Sequence, residues 1–195
     1  MKILVINGHP RSNSFCGALA DAYVAGAREA GHEVDVLLLS DMNLGTFITL
    51  KHSSMNPLTY PAEMKAIHEK MLWADHFVFA YPIWWGLPPA LMKVFIEVAF
   101  APKVAFTYLP PKNGIVRWEK LLTGRSAQLL VTADAPPWYL RYVRGAADER
   151  ALKRSILGFC GVTRIKSNYF GSVKVSTVQQ REKWLATAHV LGVRA

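Results

Sequence analysis

The first loop of this chain holds the residues whose types and spacing point most clearly to chemistry. An apolar run at residues 3–6 gives way to a polar loop and then to an amphipathic helix. The free N–H groups of a helix's first turn, together with the helix dipole, attract anions. Arg11 adds a positive charge, and further donors come from Ser12, Asn13 and Ser14. The loop therefore favours a phosphate-bearing cofactor, and the alternative is an ordinary turn in which Ser14 caps the helix.

A second loop combines prolines with two adjacent tryptophans. Trp84 and Trp85 come shortly after Pro82, and Pro88 and Pro89 follow them. Two neighbouring indoles cannot both face one core, and large exposed indoles are unusual without a partner. A flat aromatic ligand is one such partner, because rings favour stacked or edge contacts. The alternatives are a structural hairpin under a neighbouring loop and a dimer contact.

A third loop follows another apolar run and again joins polar and aromatic side chains. Thr132 either faces a ligand or satisfies a local carbonyl, and Asp134 either orients a substrate or caps a turn. The phenol of Tyr139 could donate a proton in a neighbouring pocket. The alternative for Tyr139 is a packing role. No other residue is proposed as catalytic.

The spacing of apolar residues predicts that strands and helices alternate along the chain. Strands are predicted at residues 2–6, 34–39, 77–81, 128–133 and 164–170. Helices are predicted at residues 14–30, 61–73, 90–99 and 146–159, and from Ser176 or Thr177 to about residue 191. A long irregular connection is expected at residues 40–60, and a second long connection, rich in aromatic residues and prolines, at residues 100–124.

This alternation predicts an α/β fold of the flavodoxin-like type, a doubly wound five-stranded parallel sheet with helices on both faces. We expect a single domain over residues 1–195. Ligands of such sheets bind at the carboxyl ends of the strands. The prediction therefore brings together the loops at residues 7–14, 82–88 and 133–139.

Composition limits the classes of protein that fit this chain. With 51% hydrophobic and 19% charged residues it is globular, and no apolar run reaches the length of a membrane span. The net charge of +9 suits nucleic acid, an anionic membrane surface or anionic small ligands, but the basic residues are scattered and no nucleic-acid motif is present. We therefore favour a solvated basic surface and expect no nucleic-acid partner.

The cysteines and histidines indicate a reducing compartment and no metal site. Cys16 and Cys160 form no disulfide framework or zinc spacing, and the histidines lack ligand spacing. Free thiols are typical of the cytoplasm, and the first residues read as a core strand instead of a signal peptide. We expect a cytoplasmic protein.

The chain resembles the NAD(P)H:quinone oxidoreductase family of flavodoxin-like flavoproteins over nearly its full length. That family includes the modulator-of-drug-activity type and the ancillary reductases of potassium efflux. The resemblance rests on a strand followed by residues 8–10 and 13–15, on residues 82–86 leading to residues 89–93, and on residues 106–108. The Pro-Ile-Trp-Trp-Gly segment with the downstream Pro-Ala-Leu-Met-Lys is the most specific part.

The resemblance implies roles for individual residues in binding a flavin. Residues near the flavin phosphate and ribityl chain would be His9, Asn13, Ser14 and Phe15. Residues along the isoalloxazine would be Pro82, Ile83, Trp84, Trp85 and Gly86, with Thr132, Ala133 and Asp134 at its opposite edge. A homodimer is implied, in which Phe106 and Tyr108 lie near the partner's flavin and line the substrate pocket. We place Trp138 in that pocket as well.

The third loop departs from the family's pattern. The family often has Thr-Thr-Gly-Gly there, followed by a tyrosine and a histidine, whereas this chain has Ala133, Asp134, Pro136 and Pro137 and no histidine nearby. Proline has no N–H to donate, and the missing glycines would have allowed close backbone approach. A tyrosine–histidine proton relay is therefore not expected in this chain.

These observations predict a flavin-dependent oxidoreductase that passes two electrons from NADPH or NADH to a quinone or similar flat acceptor. The resemblance favours FAD as cofactor, with FMN as the alternative. Three other classes stay open: a flavin-binding electron carrier, a regulatory subunit of a membrane transporter, and a nucleotide-binding protein without a flavin, against which the paired tryptophans argue. A carrier usually has an acidic docking face, whereas this chain is basic.

Overall fold

A computed structural model describes residues 1–47 and 60–195 of the chain. Seven strands are present in this part: β1 (Lys2–Asn7), β2 (Glu33–Leu38), β3 (His76–Pro82), β4 (Phe106–Lys112), β5 (Ile115–Lys120), β6 (Ser126–Thr132) and β7 (Ile165–Phe170). The main helices are α1 (Phe15–Glu29), α2 (Ala62–Trp73), α3 (Ala90–Ala99) and α5 (Val178–Val193). Between β6 and β7, α4 consists of three successive helical segments, Ala147–Arg150, Ala151–Leu157 and Gly158–Cys160, the second of them π-helical.

The central sheet has the order β2-β1-β3-β6-β7, and all four strand pairs are parallel. This confirms the predicted flavodoxin-like α/β sheet and its five predicted strands, whose bounds differ by no more than two residues. From β1 the chain goes first to β2 on one side and later to β3 on the other. The crevice beside the carboxyl ends of β1 and β3 is therefore the topological switch point, where such folds bind ligands.

Helices cover the sheet on both faces, as predicted. Residues of α2, α3 and α4 pack on one face in a large apolar cluster centred on Phe77, Phe79 and Phe95. Residues of α1 and α5 pack on the other face around Tyr23 and Leu130. Because both faces are covered, β3 is buried along its whole length, which explains its continuous apolar sequence.

The long connection at residues 100–124 contains two strands that the sequence did not predict. Strands β4 and β5 form an antiparallel hairpin there, closed by Asn113 and Gly114, which both have positive φ. Asn-Gly is a strong hairpin signal because this turn needs two left-handed residues. Both strands are largely exposed, so they lack the apolar alternation on which the strand predictions relied.

Two further segments differ from the predicted elements. A π-helical turn at Tyr139–Val143 precedes α4, and α4 itself begins after Ala146, which has a left-handed φ of 48°. The connection at 40–60 holds short 3-10 turns at Leu39–Asp41 and Leu44–Phe47; residues 48–59 lie outside the described part.

Helices α1 and α5 approach each other so closely that both contact points are glycine. A Cβ atom on Gly26 would lie 2.0 Å from the carbonyl oxygen of His189, and one on Gly192 would lie 2.1 Å from that of Tyr23. Backbone atoms cannot rotate away as a side chain can. The small residues are thus required by the packing of the two helices.

We expect Gly26→Ala to lower the free energy of unfolding by about 2 kcal/mol, because relief of the clash must separate α1 from α5. The loss should exceed the gain of about 1 kcal/mol that alanine brings to a helix interior. Urea denaturation followed by circular dichroism measures the change. Gly45→Ala is the matched control, since a Cβ there meets no atom of residues 1–47 and 60–195 within 4 Å. Equal stability of both variants would contradict the expectation.

Candidate cofactor-binding site

A cavity of about 310 Å³ lies at the carboxyl ends of β1, β3 and β6. Ten residues proposed from the sequence as cofactor ligands line it: His9, Asn13, Ser14, Phe15, Pro82, Ile83, Trp84, Thr132, Ala133 and Asp134. Three further lining residues were not among those candidates: Arg11, Cys16 and Val173. The sheet thus brings together segments that are up to 164 residues apart in the chain.

The loop after β1 is held in place by its own backbone. The Gly8 amide donates to the carbonyl of Ala80 on β3 over 2.8 Å, and the His9 amide donates to the Asn7 side chain over 3.1 Å. A Cβ atom on Gly8 would lie 2.5 Å from Met92 Sδ, so a larger residue there would require the Met92 side chain on α3 to move. These contacts fix the direction in which the loop leaves the strand.

Helix α1 begins at the cavity with a side-chain cap. Ser14 Oγ accepts a hydrogen bond from the Gly17 amide at 3.1 Å, so the capping interpretation of Ser14 is confirmed. The amides of Phe15 and Cys16 have no acceptor among the described residues. These amides belong to residues that line the cavity, and a helix N-terminus stabilises negative charge. Capping and anion binding are therefore compatible here.

His9 positions the indole of Trp84. The imidazole is buried and lies edge-on to the Trp84 ring, with the ring centroids 5.6 Å apart. Its Nδ1 accepts a hydrogen bond from the Arg11 amide at 3.0 Å, which places the ring proton on Nε2. Burial lowers the pKa of His9, and the Arg11 charge lowers it further. The ring is therefore a neutral support at neutral pH.

Phe15 links the cavity to α5. Its ring packs against Trp184 at a centroid distance of 5.9 Å, and the Arg181 guanidinium lies 5.6 Å from the ring centroid. Arg181 also donates hydrogen bonds to the Val173 carbonyl and to Ser176 Oγ. The wall formed by Phe15 and Val173 is thus fastened to the last helix.

The floor of the cavity contains a buried thiol and hydroxyl pair. Cys16 Sγ and Thr132 Oγ1 lie 2.9 Å apart and are both buried. Burial raises the pKa of the Cys16 thiol to about 12, so it is protonated. At the far wall, the Asp134 carboxylate accepts a hydrogen bond from the Lys174 amide at 3.1 Å, which is a turn-stabilising contact.

Trp84 and Trp85 are placed very differently. The amide and carbonyl of Trp84 pair with those of Leu87 at 2.9 and 3.1 Å, and the two residues between them have positive φ. This tight turn presents the Trp85 side chain to solvent, where it is 99% exposed, whereas Trp84 is 45% exposed and lines the cavity. The structure therefore does not bring Trp85 to the cavity in this chain.

Gly86 lines a second cavity of about 300 Å³ instead of the first. Ile83 borders both cavities, and Arg144 and Asp148 complete the polar part of the second. Asp148 is buried and accepts hydrogen bonds from the hydroxyls of Tyr81 and Tyr169 at 3.1 Å. Burial raises the pKa of Asp148.

The remaining candidates from the sequence do not line the first cavity. Phe106 and Tyr108 lie on β4 and contact each other edge-on at 5.2 Å, and Phe106 also packs on Phe159. Trp138 and Tyr139 contact each other at 6.0 Å and are 59% and 36% exposed. Within one chain, Tyr139 is thus not in position to donate a proton into this cavity.

Of the three lining residues outside the candidate set, two could have been predicted from the sequence and one could not. Arg11 and Cys16 lie in or next to the anion-binding loop, so their proximity was readable from the sequence. Val173 follows β7 and reaches the cavity only because β7 lies beside β6. Across residues 1–47 and 60–195, no group of three or more histidine, cysteine or acidic side chains could hold a metal ion, and no helix is long and apolar enough to span a membrane.

We expect both cysteines to resist alkylation in the native protein. Burial raises the pKa of Cys16 and of Cys160 to about 12, and the thiolate is the reactive form. Iodoacetamide at pH 8 should react at least about a thousandfold more slowly with the native chain than with the same chain in urea. Mass spectrometry of time points measures both rates. Fast native labelling of Cys16 would contradict the buried thiol and hydroxyl pair.

Known proteins share this fold and parts of this sequence. A ribosyldihydronicotinamide dehydrogenase-like protein of Penicillium crustosum is 29% identical over 154 residues; the match covers 68% of this chain and 57% of that protein, little more than half its length. An FMN-dependent NADH:quinone oxidoreductase of Ruegeria pomeroyi is 31% identical over 146 residues, covering 68% of this chain and 70% of that one.

A solved structure extends the similarity to the whole fold. The NAD(P)H:quinone oxidoreductase from Methanothermobacter marburgensis superimposes with a TM-score of 0.78 at 24% identity, covering 100% of this chain and 96% of that one. Residues 1–190 match the sequence pattern of the flavodoxin-like fold. The chain therefore belongs to the flavodoxin-like fold family.

Proposed function

We propose that this chain is a single-domain, flavin-dependent NAD(P)H oxidoreductase that binds FMN in the cavity at the carboxyl ends of β1, β3 and β6. The observation that supports the proposal most directly is that anion-binding and aromatic residues converge there. Ser14, Phe15 and Trp84 line one cavity at the switch point of a parallel sheet. That position is where this fold class places its nucleotide ligands.

The donors at the start of α1 suit the phosphate group. The Phe15 and Cys16 amides lack described acceptors, and Asn13 and Arg11 add a side-chain amide and a positive charge at the same wall. A phosphate there gains the helix dipole as well as hydrogen bonds. Asp134 is the one carboxylate among the described lining residues, and it accepts a hydrogen bond from the Lys174 amide.

The half-exposed Trp84 indole suits a flat ring. His9 lies edge-on to it, and Pro82, Ile83 and Ala133 contribute apolar lining. Bound FMN would supply the two-electron redox chemistry, while the protein binds and orients the reactants. A nicotinamide and then a quinone or other flat acceptor would occupy the open side of the site in turn, which requires no protein nucleophile.

FMN is a better candidate for the bound cofactor than FAD, which the family resemblance led us to expect. The relative from Ruegeria pomeroyi is FMN-dependent by name. The cavity of about 310 Å³ lies at the lower end of the range for ligand sites, and a second nucleotide half would need further lining. We propose that the phosphate loop around Ser14 binds the terminal phosphate of FMN.

A homodimer would explain the exposed aromatic residues around the site. Trp85 is 99% exposed and Tyr142 82%, and Trp138 and Tyr108 are each more than half exposed. Such surfaces mark interaction sites in soluble proteins. In this proposal Phe106 and Tyr108 of one subunit approach the cofactor of the other, and Trp85 and Tyr139 act across the same interface.

The first test is the visible absorption spectrum of the purified protein. We expect flavin bands that bleach when NADPH or NADH is added under nitrogen, and chromatography of the released cofactor should identify FMN. Reoxidation by a quinone separates the enzyme from a carrier, which would need a partner reductase. A colourless protein that binds neither FMN nor FAD would overturn the proposal.

A pair of tryptophan variants tests the placement of the ring. We expect Trp84→Ala to weaken FMN binding by more than about 1 kcal/mol, or more than about fivefold in Kd, through loss of an aromatic contact. Trp84→Phe should recover most of it. In a dilute, monomeric sample, Trp85→Ala should bind FMN as tightly as the unmodified chain does, because the Trp85 side chain lies outside the cavity. Flavin fluorescence quenching measures the FMN affinity of all three variants. A larger loss of affinity in Trp85→Ala than in Trp84→Ala at that dilution would contradict the placement of the flavin ring at Trp84.

A further inference from the structure

A separate cavity of about 370 Å³ lies at the opposite edge of the sheet, where β3, β6 and β7 begin. Its lining includes the side chains of Arg164, Lys166 and Arg194. Within residues 1–47 and 60–195, none of the three has an ion pair or a side-chain hydrogen bond. Arg194 follows α5, where a cation offsets the helix dipole. Arg164 and Lys166 have no such structural role.

The positive charges at this cavity act electrostatically on a buried histidine, His76. His76 is 7% exposed and lines the same cavity. Burial first, and then the charges of His32, Lys166 and Arg164, lower the pKa of His76 to about 4. The carboxylate next to it in the chain, Asp75, accepts a hydrogen bond from the Lys2 amide. The imidazole is thus neutral, and the three cations of the cavity have no ion-pair partner among the described residues.

A buried chain of hydroxyl, imidazole and hydroxyl leaves one proton unplaced. The Tyr23 hydroxyl lies 3.2 Å from His76 Nε2, and Ser126 Oγ lies 2.7 Å from His76 Nδ1. The three neutral groups carry three polar hydrogens, but the two hydrogen bonds use only two of them. If Nδ1 is protonated, the Ser126 hydroxyl is free to donate; if Nε2 is protonated, the Tyr23 hydroxyl is. Both residues line the cavity, and in either tautomer the remaining hydroxyl hydrogen has no acceptor among the described residues.

Backbone geometry also holds Arg164 at this position. Arg164 adopts a left-handed φ of 50°, a conformation that costs a non-glycine residue energy. Arg164 immediately precedes β7. The residue before it, Thr163, is held by a hydrogen bond from its amide to the Arg125 carbonyl at 3.0 Å. Two cations, an unplaced hydroxyl proton and a cavity therefore coincide at one edge of the sheet.

We propose that this cavity binds a small phosphate-bearing anion, held by Arg164 and Lys166 and by the free hydroxyl of Tyr23 or Ser126. A tetrahedral phosphate offers several acceptor oxygens, matches the guanidinium fork and pairs with the ammonium as a point charge. The site is separate from the candidate FMN cavity, which lies at the carboxyl ends of the strands. It does not depend on the proposed oxidoreductase activity.

Nuclear magnetic resonance of the ¹⁵N-labelled protein tests the proposal with inorganic phosphate as the probe. In low-salt buffer at pH 7, we expect saturable shifts at the Tyr23, His76 and Lys166 signals, which sodium chloride of equal ionic strength does not produce. The pKa of His76 should rise when phosphate is bound, because the anion compensates the neighbouring cations. Shifts confined to residues 9–16, or a response equal to that of chloride, would overturn the site.

A charge-matched pair of double variants separates this site from a general effect of net charge. Arg164→Gln with Lys166→Gln should weaken phosphate binding at least about tenfold. Arg154→Gln with Lys112→Gln removes the same charge from exposed positions outside the cavity and should leave it unchanged. Equal losses in both pairs would refute the proposal. All four positions are exposed, so the variants are expected to fold.

Phenyl phosphate in the same titration identifies the kind of phosphate. Leu191 and Ala127 form part of the cavity wall, so an apolar body attached to the phosphate has surface to contact. Tighter binding than that of inorganic phosphate assigns an organic monoester as the ligand, and equal binding assigns free phosphate. If neither probe gives saturable shifts at Tyr23 and His76, no anion site exists here.

Discussion

Parallel pairing of β1, β3 and β6 aligns their carboxyl ends at one edge of the sheet, and the candidate site depends on that alignment. Asn7 pairs with Ala80, and Pro82 pairs with Thr132, so β3 and β6 end at the same level and β1 ends two residues earlier at the same edge. Hydrogen bonds continue the alignment beyond the strands, from the Gly8 amide to Ala80 and from the Ile83 amide to Thr132. A shift of one residue in any pair would turn the lining side chains to the other face.

The two edges of the sheet differ in what they offer a ligand. At the carboxyl edge, helix dipole, backbone amides and the Trp84 indole surround a cavity suited to a nucleotide with a flat ring. At the amino edge, Arg164 and Lys166 approach a buried chain of hydroxyl and imidazole groups. Both edges hold a buried neutral histidine, His9 and His76, whose pKa is lowered first of all by burial. In each case the histidine orders its neighbours and does not carry charge.

Local patterns predicted the parts of the fold whose residues are buried. The strands of the central sheet are covered on both faces, so their apolar runs were visible, and the Ser14 cap could be read from the residue type and its position. The hairpin of β4 and β5 was missed because its strands are exposed and carry Pro110 and Pro111, although Asn113-Gly114 marks its turn. The π-helical turn at Tyr139–Val143 has no comparable signal.

The sequence by itself determined the α/β alternation and predicted an anion-binding first loop, because apolar spacing reflects burial and a helix N-terminus leaves amides free. The family resemblance supplied the ten candidates that one cavity brings together. Only the tertiary structure distinguished Trp84 from its neighbour Trp85, because a tight turn with two left-handed residues sends the two indoles apart. It alone also brought Tyr23, Ser126 and Arg164 together, since their proximity arises from strand order and helix packing and not from any local pattern.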